Sequence, residues 1–73
     1  MSRKKSPGTI IAALRENAGL TQCAVAEEVR NRRIVSLSEA HFRRIEKDIV
    51  KPSVMLAMEI AQVLDTDVYE VWG

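Results

Sequence analysis

The side chains in this sequence that can do chemistry are mostly guanidinium and ammonium groups. Arg43 and Arg44 stand with Glu39 and His41 in a short run from Ser38 to Lys47, and Arg30, Arg32 and Arg33 precede it. Such groups fork onto phosphates, carboxylates and the acceptor edge of guanine. A catalytic set is missing from the sequence. There is one histidine, His41, one cysteine, Cys23, and no glycine-rich phosphate loop. Metal ligation needs several Cys or His ligands at suitable spacing, and Cys23 with His41 is too few. The expectation is therefore a binding protein with no enzymatic activity, no cofactor and no metal.

The net charge of +1 hides an uneven distribution. All eleven Lys and Arg lie in residues 1–51 against six Asp and Glu, a net of +5; residues 52–73 carry four acids, a net of −4. A basic body with an acidic end suits a polyanion-binding face and a second face turned away from it, or else a solvated surface on which charges cluster by chance. A lone cysteine cannot close an intramolecular disulfide and fits a reducing compartment. No apolar stretch approaches the ~20 residues of a membrane span, and no apolar segment follows Arg3-Lys4-Lys5 as a secretory signal would require. A cytoplasmic protein without membrane contact is expected.

These residues need elements to position them. Residues 1–8 are polar and basic with Pro7-Gly8, and read as a flexible arm; residues 9–73 form one domain. From Thr9, Ile10, Ile11, Leu14 and Ala18 mark a helical stripe that Gly19 ends in a left-handed cap. Thr21 is a natural N-cap for a second helix with Val25, Ala26 and Val29 on one face. Glu28 and Arg32, in the favourable i,i+4 order, argue that this helix continues to about Arg33. A third helix starts at Ser38, or at Ser36, where Ser36 and Glu39 make a capping box; Phe42 and Ile45 point inward. Ser53 caps a fourth helix with Val54, Ala57, Ile60, Ala61 and Leu64 at core spacing. Asp67 and Glu70 open a short fifth helix, Val68 to Trp72. The expectation is an all-α domain of five helices.

Leu14-Arg15-Glu16, Gly19-Leu20-Thr21-Gln22, Val25-Ala26, Phe42 with Ile45-Glu46, Lys51-Pro52-Ser53 and Ile60-Ala61 with Leu64 follow one another in order. This series, over about residues 9–72, resembles the lambda repressor/Cro-like helix-turn-helix family, also called the XRE family. The resemblance implies a compact five-helix domain, operator binding as a dimer, and a recognition helix at Ser38–Lys47. Two features depart from the family pattern. Eight residues, 30–37, separate Val29 from Ser38 where about two are usual, so the turn between helices 2 and 3 is lengthened by six. Asp65 stands where the family usually has Gly.

On this reading the partner is double-stranded DNA and the role is transcriptional regulation, chiefly repression. Helix positions near the start of the recognition helix reach base edges. Glu39, Ala40, His41, Arg43 and Arg44 are the candidates: the arginines for guanine, Glu39 for the cytosine amino group, Ala40 for a thymine methyl. Arg43 and Arg44 alternatively form a solvated face with a Glu39–Arg43 pair, and His41 a polar surface residue. Phosphate contacts are expected from Thr21, Gln22, Ser38 and Lys51, with Gln22 and Lys51 carried over from the resemblance. Arg30, Arg32 and Arg33 add phosphate contacts if the insertion lies along the DNA, or are solvated if it does not. Arg3, Lys4 and Lys5 suit an arm that follows a groove, or a disordered tail. Met55, Leu56, Met58 and Trp72 exceed the needs of the core stripe and are either satellite core or a partner surface; Met55, Met58 and Trp72 are the candidates for a homodimer contact. The rival reading is a protein-interaction module of the same fold, antitoxin-like or adaptor, with a regulatory protein as partner.

Overall fold

The computed structural model describes residues 5–73. The order is α1 (Pro7–Asn17), α2 (Gln22–Asn31), α3 (Glu39–Glu46), α4 (Val54–Val63) and α5 (Val68–Trp72), with no strand among the described residues. Each helix begins at a residue whose side-chain oxygen takes a backbone N–H of the first turn. Ser6 accepts from Thr9, Thr21 from Ala24, Ser38 from His41, Ser53 from Leu56 and Asp67 from Tyr69. Each such cap is worth about 1 kcal/mol, which matters in helices of five to eleven residues that are marginal alone. Ser38, not Ser36, is the cap of α3.

The first helix starts two residues earlier than its apolar pattern indicates. Pro7 suits the first helical position because its missing N–H has no partner to lose there. Gly8 is buried, and a Cβ on it would lie 2.2 Å from the Glu46 carbonyl oxygen. Its N–H donates to Asp48 Oδ1 at 2.9 Å. The start of α1 therefore rests directly on the end of α3, and only glycine fits.

The helix ends are left-handed: Gly19, Arg33, Asp48 and Asp65 have φ of 73°, 60°, 60° and 56°. After α1, α3 and α4 both closing bonds of a Schellman turn are present, for instance Leu20 N–H to Arg15 C=O with Gly19 N–H to Glu16 C=O. At α2 the bond from Arg33 N–H to Arg30 C=O forms. The Arg30 side chain then donates to the Leu37 carbonyl at 2.9 Å, drawing the two ends of the connection together.

Helix α3 packs between α1 and α2; α4 packs on α2, and α5 closes against α1 and α4. The core gathers Ile11, Val25, Val29, Phe42, Ile45, Leu56, Ile60, Leu64 and Val71. Leu37, from the lengthened connection, joins it at 1 % exposure. In α4 the buried face includes Leu56 rather than Val54, which is 76 % exposed. Helices α2 and α3 thus form a helix-turn-helix arrangement with a long turn, residues 32–38, anchored near its end by the core residue Leu37.

Candidate nucleic-acid interface

With Phe42 and Ile45 buried, α3 has one direction left for its other side chains. Residues 39, 40, 43, 44 and 47 recur at i, i+1, i+4, i+5 and i+8, a single face at 3.6 residues per turn. Ala40, Arg43, Arg44 and Lys47 are exposed there and Glu39 is half-buried. His41 lies off this face, half-buried on the flank. Ser38 is exposed, its side chain committed to the cap.

The face is held by a chain of side-chain bonds across three helices. Arg15 of α1 donates from Nε to Glu46 Oε2 at 2.6 Å and from Nη2 to Glu46 Oε1 at 3.4 Å. Its Nη1 donates to the Leu20 carbonyl at 2.9 Å. Gln22, the first residue of α2, donates from Nε2 to Glu46 Oε1 at 2.8 Å. The Gln22 Oε1 accepts from Arg43 Nε at 3.3 Å, and Arg43 Nη2 donates to Glu39 Oε2 at 3.0 Å. The Glu46 side chain is only 6 % exposed, so its pairing with Arg15 is sheltered from solvent screening. Gln22 thereby braces α3. Its exposed neighbour Thr21 caps α2, whose first N–H groups stand beside the α3 face.

The three arginines of the connection take three different positions. Arg32 turns onto α4, where Nε meets Glu59 Oε1 and Nη2 meets Gln62 Oε1. This replaces the local Glu28–Arg32 pair that the helical spacing favours, because Glu59 is buried and its charge needs a partner. Arg30 is bonded to Leu37, as described. Arg33 is exposed, in the left-handed C′ position, and makes no side-chain bond among the described residues. Helix α2 itself stops at Asn31, not Arg33. The extension past Val29 is therefore two residues, and the remainder is a pinned connection.

Lys5 is exposed just before the Ser6 cap, and Arg3 and Lys4 lie outside the described residues. Lys51 is exposed and borders a different feature, an apolar groove of about 460 Å³ between α4 and α5. Val54, Met58, Tyr69 and Trp72 line it. Met58 and Trp72 thus share one surface, whereas Met55, also exposed, does not line the groove. Helical spacing puts Met55 on the side of α4 that carries Glu59 and Gln62.

Sequence reasoning missed the Arg15–Glu46 pair, Lys47, Glu59, Val54 and Tyr69. Signals existed for two of them. Lys47 follows Arg43 at i+4, and Glu59 is the single acid within the apolar run from Val54 to Val63. The chain matches no known protein family, no curated protein and no solved structure.

Proposed function

We propose that this chain is a transcriptional regulator, chiefly a repressor, that lays α3 in the major groove of duplex DNA. The observation carrying this reading is the α3 face itself. Three cations, Arg43, Arg44 and Lys47, and the small Ala40 project from one side of a helix whose other side is core. A helix presenting Arg, Lys and a methyl group matches the donor and apolar needs of major-groove edges. The adjacent start of α2, with Thr21 and Gln22, supplies backbone N–H groups for a phosphate. Its resemblance to the lambda repressor/Cro-like family supports the same docking; Arg33 and Lys5, which the resemblance does not assign, add backbone contacts from their exposed positions. Arg32 has no such part, being engaged with Glu59.

In this reading the chain acts in the cytoplasm, performs no catalysis and needs no cofactor. Two copies meet through the α4–α5 groove, where Met58, Tyr69 and Trp72 leave apolar surface uncovered. Selection of bound duplexes from a random pool tests the function. Enrichment of a two-fold symmetric site supports it; recovery of random sequence contradicts it. The same groove also favours a second reading, a protein-interaction module, which the chain would follow if selection failed while the groove still bound a protein.

A further inference from the structure

The α3 face contains one feature that a general DNA-binding surface does not need. Glu39 is its only acid, its side chain is 44 % exposed, and it stands among Ala40, Arg43 and Arg44. A carboxylate turned towards phosphates weakens binding to every duplex unless something on the correct duplex compensates.

Its hydrogen bonds indicate what that something is. Arg43 has its Nε–H on Gln22 Oε1, and Gln22 is fixed by Glu46, itself fixed by Arg15. That chain orients the guanidinium from behind and leaves the two Nη groups forward. One of them is held by Glu39 in the free protein. Guanine takes both Nη groups at once, through O6 and N7. It uses one N–H of each, so Nη2 keeps a second N–H for Glu39 Oε2, while Glu39 Oε1, which has no partner among the described residues, faces the groove and requires a donor. In the major groove the donors are exocyclic amino groups. Cytosine N4–H₂ is the better of them, because adenine places its acceptor N7 beside its amino group.

Resting on the DNA-binding reading above, we propose that Glu39 is the specificity-determining residue of this face and that it acts by exclusion. Arg43 and Glu39 form one composite reader, the first for guanine and the second for a cytosine close to it. Four residues along a helix span about 6 Å, about two base-pair steps, so the two bases lie within two steps of each other. A duplex lacking the cytosine leaves the carboxylate facing acceptors with no donor, and that cost is what discriminates.

The test measures dissociation constants of the full chain, of Glu39→Gln and of Glu39→Ala. Each is measured for the duplex selected by the wild type, for that duplex with the cytosine replaced, and for an unrelated duplex. The wild type discriminates against the replaced base pair by about tenfold or more. Both variants bind the unrelated duplex about threefold or more tighter than wild type at low salt, and lose most of the discrimination. Glu39→Gln is decisive, since it keeps one oxygen for Arg43 while it removes the charge and replaces the other oxygen with an amide donor, which no longer suffers opposite acceptors. If it binds unrelated DNA no better than wild type, or keeps full discrimination, exclusion by Glu39 is overturned while DNA binding stands. A wild type that selects no duplex at all overturns the DNA reading, and this inference with it.

Discussion

Arg15 and Glu46 are thirty-one residues apart in sequence, and their side chains meet at 2.6 Å beneath the α3 face. With 14 % and 6 % of their side chains exposed, they form the best-sheltered of the ion pairs among the described residues. They tie the end of α3 to α1, and Gln22 adds α2. Removing one partner leaves a buried charge alone. Glu46→Ala therefore loses about 3 kcal/mol in denaturant unfolding. Replacing both by apolar residues, Arg15→Met with Glu46→Leu, recovers most of that stability. It does not recover duplex affinity, because Gln22 and Arg43 lose their anchor.

The arginines of the connection separate by substitution. Arg33 is held in a left-handed conformation that costs an L-residue about 1–2 kcal/mol and glycine much less. Arg33→Gly raises the melting temperature by a few degrees, since about 1 kcal/mol corresponds to about 4–8 °C in a domain of this size. The same variant weakens duplex binding and flattens its log–log salt dependence by about 0.9. Arg32→Ala does the reverse. It leaves Glu59 buried without its partner, lowers stability by about 1–3 kcal/mol, and leaves the salt dependence unchanged. Thermal melts and salt titrations of the two variants check both halves.

Gly8 reports the α1–α3 contact. A methyl group at Gly8 meets the Glu46 carbonyl at 2.2 Å, and the backbone on neither side yields cheaply. Gly8→Ala loses about 2 kcal/mol or more by chemical denaturation, although alanine is otherwise the better helix former.

The α4–α5 groove predicts assembly. Met58→Glu and Tyr69→Glu place charges in it without entering the core, and shift the protein to monomer in analytical ultracentrifugation. Met55→Glu, outside the groove, leaves the assembly unchanged. A wild type that is monomeric at high concentration with and without DNA removes the dimer.

Which of these features the sequence makes legible follows from how local each one is. The caps Thr21, Ser38, Ser53 and Asp67 are readable because each satisfies an N–H two or three residues away. The five helices and the core residues Phe42, Ile45 and Ile60 follow from the same short-range spacing. Pro7-Gly8 misleads as a break, because the reason for glycine lies in the Glu46 carbonyl, far along the chain. The end of α2 is placed two residues late because nothing local announces an arginine in a left-handed cap. Arg32 finds Glu59, twenty-seven residues on, in preference to Glu28. Burial decides that choice, and spacing along one helix does not contain it. The α3 face itself is legible as positions; the order in which Arg15, Glu46, Gln22, Arg43 and Glu39 hold one another is not.

The most direct test of the account is where a short duplex touches the protein. An isotope-labelled chain titrated with a duplex from the selected pool, at low salt, reports this through its amide chemical shifts. The account predicts the largest changes at Thr21, Gln22 and along Ala40, Arg43, Arg44 and Lys47, with Val54, Met58 and Tyr69 moving only if assembly changes. Shifts confined to the α4–α5 groove, or no shifts at saturating duplex, would contradict it.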